Sequence, residues 1–212
     1  MATAITRFIQ DNLELRPLPA LPAISLYLSH PRSRLSRLAD PDDADPPPPY
    51  WAFPWAGGLA LAQHFAAHPQ TIADRRVLDL GAGSGLVAIA AARAGAVVSA
   101  AEIDPHGRAA IALNAAANGV AVDLTDMDVT GPPPADVELI AAGDVFYNAE
   151  VAAIMLPFLL RCRMAGIDVL IGDPDRRDLP MHRLERVASY AVGDVGDGRD
   201  DAGRVGSVYR LR

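Results

Sequence analysis

The chain contains no lysine; all 19 of its basic residues are arginine. A P-loop nucleotide site needs a phosphate-contacting lysine, a protein kinase its strand lysine, and a pyridoxal enzyme its Schiff-base amine, so all three are excluded together. Cysteine is nearly as scarce. Cys162 stands alone, and neither an internal disulfide nor a cysteine-rich metal site can form within the chain. It falls on the apolar stripe of a predicted helix, where a buried, inert thiol is expected. No run approaches the roughly 18 apolar residues needed to span a bilayer, and Met1 to Leu15 lacks the apolar stretch of a signal peptide. A soluble, cytoplasmic protein with no membrane partner is expected. With 26 acidic residues and a net charge of −7, the chain has no obvious basic face for a phosphate backbone, so no nucleic-acid partner is expected. His64 and His68 lie one helical turn apart without a third ligand, so no metal site is expected and the two read as a solvated surface pair.

Half of the residues are apolar and the length of 212 residues suits one full core. Residues 1–49 read as an extension: a short amphipathic helix over Ala2 to Asn12, a proline-punctuated stretch over Arg16 to Pro22, a strand over Ala23 to Leu28, and an acidic, proline-rich loop over Asp40 to Pro49. From Tyr50 the pattern changes. Helices are predicted over Gly58 to Ala67, Ser84 to Ala94 and Pro105 to Asn118. A further helix carries Val151, Ile154, Met155, Phe158 and Leu159, with Pro157 kinking it or shifting its start, and a short one spans Met181 to Val187. Strands are predicted over Arg76 to Leu80, Val97 to Ile103, Val122 to Leu124, Val137 to Ala142, Val169 to Ile171, Tyr190 to Val192 and Val205 to Leu211. This alternation predicts an α/β domain over residues 50–212. Its architecture is a Rossmann-like, mostly parallel sheet of seven strands with helices on both faces, closed by an antiparallel C-terminal edge.

The strongest motif is Val77-Leu78-Asp79-Leu80-Gly81-Ala82-Gly83-Ser84-Gly85, set between a strand and a helix. Gly81 and Gly83 allow a tight turn and the close approach of a ligand. Glu102 ends the next strand about twenty residues on, where a carboxylate can accept from a ribose diol. A dinucleotide fingerprint wants its third glycine three residues after the second, and that position is Leu86. The glycines instead alternate through Gly85, and Asp79 precedes them. S-adenosylmethionine fits better, because it has no pyrophosphate, and Asp79 or backbone carbonyls can accept from its ammonium group. After the third strand, Asp128 is placed to accept from the adenine amine and the Val129 amide to reach a ring nitrogen; the competing reading is that Asp126 and Asp128 only solvate the loop.

The fourth strand leads into Gly143-Asp144-Val145-Phe146-Tyr147-Asn148, at the carboxyl end of a parallel strand beside the cofactor crevice. Methyltransferases acting on amides or adenine amines commonly carry prolines here, and this chain has none, so another acceptor nitrogen is implied. Asp144 can receive hydrogen bonds from an amine, and Phe146 and Tyr147 can wall in an alkyl-ammonium; the competing reading puts Phe146 in the core and Asp144 on the next helix as a cap. Both tryptophans fall in Tyr50-Trp51-Ala52-Phe53-Pro54-Trp55. Aromatic packing under the sheet could explain one of them; a lid over the sulfonium and the acceptor channel, with Trp51 and Phe53 toward the substrate, would explain the clustering.

The glycine loop, Glu102 with Ile103-Asp104-Pro105, and Asp144-x-x-Tyr147 together resemble the seven-strand protein lysine methyltransferases. Within them the likeness is to the electron transfer flavoprotein β-subunit lysine methyltransferases, through Pro49 to Gly58, Val77 to Gly85, Gly143 to Tyr147 and Val169 to Pro174. The resemblance runs from about Ile24 to near the C-terminus. It implies that the chain is an S-adenosylmethionine-dependent enzyme acting on a protein lysine, with the β subunit of electron transfer flavoprotein as the partner. It also implies that Trp55 and Gly143 belong to the cofactor site, and that Asp144 meets the target lysine while Tyr147 shapes its pocket. The same pocket would serve a small-molecule N-methyltransferase acting on nicotinamide-like amines, and a module that binds the cofactor without transferring its methyl group is a third reading.

Overall fold

The computed structural model describes residues 3–38, 48–192 and 204–212. Most of the loop expected over Asp40 to Pro49 lies outside the described residues. Helices α1 (Ala4–Asn12), α2 (Ala56–Ala67), α3 (Leu86–Arg93), α4 (Pro105–Ala117) and α5 (Ala149–Met164) accompany strands β1 (Glu14–Leu18) and β2 (Leu21–Leu28). The remaining strands are β3 (Arg76–Leu80), β4 (Val97–Ala101), β5 (Asp123–Thr125), β6 (Leu139–Gly143), β7 (Asp168–Asp173), β8 (Leu184–Ala191) and β9 (Val205–Leu211).

The main sheet runs β5-β4-β3-β6-β7-β9-β8. Its first five strands pair in parallel and β9 pairs antiparallel with both β7 and β8. Strand alternation divides the core. Val77, Leu139 and Ala141 face α2 and α3, whereas Leu78, Ile140 and Ala142 face Phe158, Leu159 and Cys162 of α5. Successive strands leave β3 to opposite sides, so its carboxyl end and that of β6 border a crevice at the topological switch point.

Strands β1 and β2 form an antiparallel hairpin that rests on α4. Asn114 and Asn118, one turn apart, accept from the Tyr27 and Ser25 amides at 2.8 and 3.0 Å. Asn114 also donates to the Ser84 carbonyl at 2.8 Å, which ties the hairpin support to the glycine loop.

Three local expectations are corrected. Met181 to Val187 is not a helix: a single 3₁₀ turn over Met181–Arg183 leads straight into β8. Pro157 does not shift the start of α5: it sits well inside the helix, on its exposed face. Ile154 is half exposed and not part of the buried stripe. The helix starts at Asn148, whose side chain accepts from the Val151 amide at 2.8 Å, and it ends with Arg161 and Arg163 in its last turn.

Candidate active site

The loop after β3 bends through left-handed glycines, with φ of +70° at Gly81, +53° at Gly83 and +79° at Gly85. The amides of Gly81 and Ala82 both donate to the Ala101 carbonyl at 3.0 Å, fixing the loop to the end of β4. Glu102 completes the arrangement. Its Oε2 accepts from the Gly83 amide at 2.7 Å and its Oε1 from the Asp104 amide at 2.9 Å. Each oxygen keeps a lone pair, so a vicinal diol can still be bound. Ile103 beside it is 95% exposed, an apolar face with nothing packed on it; this residue was quoted in the sequence motif but not assigned a role.

Two helices point their N-termini at the crevice, and neither is capped by its own N-cap side chain. Asp79 caps α3, its Oδ2 accepting from the Ala88 amide at 2.9 Å. Asp144 caps α2, its Oδ2 accepting from the Gly58 amide at 2.7 Å. Both amides are in the third helical position, where an N-cap side chain would otherwise bind. Asp79 therefore lies beneath the loop, 1% exposed. Burial, opposed by the Ala88 amide and reinforced by Glu102, pushes its carboxyl up to about 7. It still lines the crevice, with Phe53, Trp55, Gly58, Gly143 and Asp144.

The first turn of α2 is pressed onto the sheet. A Cβ on Gly57 would stand 2.1 Å from the Gly172 carbonyl oxygen, and one on Gly143 would stand 3.0 Å from Gly58. Only glycine lets this helix deliver its amide to Asp144. Asp144 itself adopts a left-handed φ of +60°, a conformation that Asp and Asn tolerate better than other side chains.

The other oxygen of Asp144 is also engaged. Arg176 Nη1 donates to its Oδ1 at 2.6 Å and to Asp173 Oδ2 at 3.0 Å. Asp173 Oδ1 accepts the Arg176 backbone N–H at 2.7 Å, and Asp173 is fully buried. Burial raises the Asp173 carboxyl, against the pull of the Arg176 amide and charge, while Asp144 adds to the rise. Burial also works against the Arg176 charge, but Asp144 and Asp173 outweigh it and hold the guanidinium above its ordinary range. Neither Arg176 nor Asp173 was singled out from the sequence. The available signal was a second carboxylate at the end of a buried parallel strand, which demands a cation nearby.

Aromatic rings rim the acceptor side. Tyr147 and Tyr50 are 46% and 43% exposed and their rings lie 5.5 Å apart. Trp55 meets Tyr50 edge-on at 5.9 Å and donates from Nε1 to the Tyr50 carbonyl at 2.8 Å; Phe53 lies 5.9 Å from Trp55. Two expected wall residues are elsewhere. Phe146 is fully buried against α5, so it cannot touch an acceptor, and the core reading of it holds. Trp51 is 2% exposed, packed with Ile9, Leu13 and Ala110 and stacked on His106, which places it behind the glycine loop and not over the acceptor.

Asp128 is exposed and closes a turn, its Oδ1 accepting from the Thr130 amide at 2.8 Å and hydroxyl at 2.7 Å. These bonds hold its carboxyl below the usual range. Arg161 holds the same loop through the Val129 and Gly131 carbonyls. Cys162 is buried and its thiol is pushed up to about 11 by desolvation. His64 is not a surface residue: it is buried against His68, with Nδ1 2.9 Å from the Tyr190 hydroxyl. Among the described residues, no three His, Cys, Asp or Glu side chains gather as a metal site.

Comparison with known proteins decides the family. A family described as ribosomal protein L11 methyltransferase (PrmA) matches residues 65–145. The electron transfer flavoprotein beta subunit lysine methyltransferase of Xenopus laevis is 38% identical over 200 residues, covering 91% of this chain and 81% of the relative. The chain belongs to that family of lysine methyltransferases. The human member is 33% identical over 199 residues, covering 89% of this chain and 74% of its own length. A putative RNA methyltransferase from Pyrococcus horikoshii, 15% identical, superposes with a TM-score of 0.56 over 79% of this chain and 89% of that one, and shows the shared fold. The cofactor is therefore S-adenosylmethionine, and the chain is an enzyme. The residues present fit that group: a glycine cradle in which a Cβ on Gly83 would meet nothing nearer than 3.8 Å, free lone pairs on Glu102, and a buried carboxylate beneath the loop.

Proposed function

We propose that this lysine methyltransferase modifies the β subunit of electron transfer flavoprotein. Its relatives in Xenopus laevis and Danio rerio are named for that substrate. The observation that carries the chemistry is Asp144 at the end of β6, facing the glycine loop across one crevice with Tyr147 on its open rim.

When bound, S-adenosylmethionine supplies an electrophilic methyl group on a sulfonium. Gly81 and Gly83 would give it close approach while Gly85, packed on Ile111, holds the turn; Glu102 would accept from the ribose, Asp79 would take the ammonium end, and Ile103 would offer the base an apolar face. Asp128 and the Val129 amide, on the loop after β5, are the groups assigned to the adenine amine and a ring nitrogen. On the acceptor side, the substrate amine needs its lone pair. A lysine with an ordinary pKa near 10.4 is about 0.1% neutral at pH 7.4, a deficit of roughly 4 kcal/mol. Asp144 orients the amine through the lone pairs that Gly58 and Arg176 leave free, and orientation alone is worth several kcal/mol. Asp144 is not the final proton acceptor; the proton leaves to water.

The exposed Tyr50 and Tyr147 favour a protein acceptor over a small amine. Small-molecule sites are concave and enclose most of their ligand, whereas both phenols here stand in the open. Purified β subunit incubated with labelled S-adenosylmethionine and this enzyme should take label at lysine, located by mass spectrometry. Turnover of nicotinamide-like amines with no label on protein would replace this reading with the small-molecule one.

A further inference from the structure

Arg176 is held more firmly than a loop arginine needs to be. Its backbone N–H ends on Asp173, and the next residue back, Asp175, has a left-handed φ of +66°. Asp175 accepts from the Tyr209 hydroxyl of β9 and from Arg186 of β8 at 2.8 Å. The Arg176 side chain is 22% exposed, and those of its partners Asp144 and Asp173 are 11% and 0% exposed. Solvent therefore screens this bridge poorly, and its charges act at close to full effect on whatever enters the acceptor end.

A carboxylate alone in that position would work against the reaction. A negative charge in contact with lysine favours the ammonium form and raises its pKa by about 1–3 units, and the ammonium has no lone pair. We propose that Arg176 is a positioning residue that corrects this. By sharing one Nη1 between Asp144 and Asp173, it fixes the Asp144 oxygens toward the acceptor while offsetting part of the negative charge of the two carboxylates, so that the target lysine gives up its proton more readily than beside Asp144 alone. The inference rests on the lysine-methyltransferase reading above.

The other groups around the acceptor agree with this balance. The N-terminal end of α2 adds positive potential at Gly58. Asp79 of β3, beneath the glycine loop, has its carboxyl pushed up by burial, and the Tyr147 phenol is likewise raised by burial, with Tyr50 and Glu102 contributing. Tyr50 lies on the rim and Glu102 across the crevice at the end of β4. Arg176 is the cation in contact with Asp144.

The test is the pH profile of kcat/KM between pH 6 and 10, with the β subunit as substrate, for wild type, Arg176→Gln and Arg176→Lys. S-adenosylhomocysteine affinity is measured on each variant by calorimetry. Arg176→Gln should move the rising limb about one unit or more to alkaline pH. It should lose at least tenfold at pH 7, recover most of that by pH 9–10, and bind S-adenosylhomocysteine within twofold of wild type. Arg176→Lys keeps the charge and should return the limb to its wild-type position. A parallel loss at every pH, or an unmoved limb, overturns the proposal and leaves the enzyme reading intact. A wild-type protein that labels no lysine on the β subunit or in a cell extract overturns both.

Discussion

Asp79 and Asp144 perform the same structural task for different helices, each accepting the third amide of a helix that lacks its own cap: Ala88 of α3 for the first and Gly58 of α2 for the second. The two carboxylates that face the ligands are thus also the fasteners that aim two helix N-termini at them. Substitutions here carry a structural cost that must be separated from the chemical one.

For Asp144 the separation comes from choosing asparagine. Asp144→Asn keeps an oxygen for Gly58 and tolerates the left-handed backbone, whereas Asp144→Ala loses the cap, worth about 1 kcal/mol, and strains the turn. Both should lower kcat/KM on the protein substrate by about 100-fold or more, since a displaced acceptor amine forfeits its alignment. Both should lower Tm, the alanine variant more, because asparagine gives up only one of the two contacts, to Gly58 or to Arg176. S-adenosylhomocysteine affinity should stay near wild type in Asp144→Asn, and an equal collapse of that affinity would remove Asp144 from the acceptor role.

Asp79, the proposed acceptor for the ammonium end, should make cofactor binding sensitive to pH. Its folded carboxyl, near 7, lies above the unfolded value of 3.8. Between those values the folded protein holds a proton that the unfolded chain has lost, so folding stability falls as pH climbs from about 4 to 7 and levels off above. Bound ammonium favours the ionised carboxylate. Affinity for S-adenosylhomocysteine should accordingly rise with pH below 7, by up to about tenfold per unit, and flatten above. Calorimetry across pH 5–8 checks this, and Asp79→Asn should show no such slope.

Glu102 accepts two backbone amides and is the ribose acceptor of the proposed site. Glu102→Ala should weaken S-adenosylhomocysteine binding about 10- to 100-fold, the range of hydrogen bonds to a charged group. Equilibrium binding distinguishes this from the Asp144 variants, whose defect appears in turnover.

Tyr147 tests the shape of the acceptor rim. Its ring packs on Tyr50 and is half exposed, so Tyr147→Phe should retain most activity, while Tyr147→Ala should raise KM for the protein substrate several-fold. A large loss in Tyr147→Phe would instead assign the hydroxyl to the reaction.

The parts of this site legible in the sequence are those set by local rules. Alternating strands and helices, the glycine turn and the acidic residue ending β4 all follow from neighbours in the chain. The caps do not, because Gly58 and Asp144 are separated by 86 positions. Arg176 sits in Asp175-Arg176-Arg177-Asp178, which reads as a solvated loop; its burial comes with its contacts to Asp144, just after β6, and to Asp173 of β7. Met181, Leu184 and Val187 carry helical spacing, yet pairing with β9 turns the segment from Leu184 onward into a strand, tertiary context overriding propensity. Phe146 and Trp51 adjoin residues that do line the crevice, and proximity in sequence says nothing about which way a side chain turns.

The antiparallel edge does more than finish the sheet. Tyr209 and Arg186 meet on Asp175, one residue from the guanidinium that grips Asp144, so β8 and β9 brace the reacting end from behind. Shortening or re-registering that edge would slacken the grip on the incoming protein while the donor loop, hung from β3 and β4, kept its hold. In the proposed site, recognition of the partner and recognition of the methyl source therefore fall on opposite halves of one sheet, free to drift apart under selection.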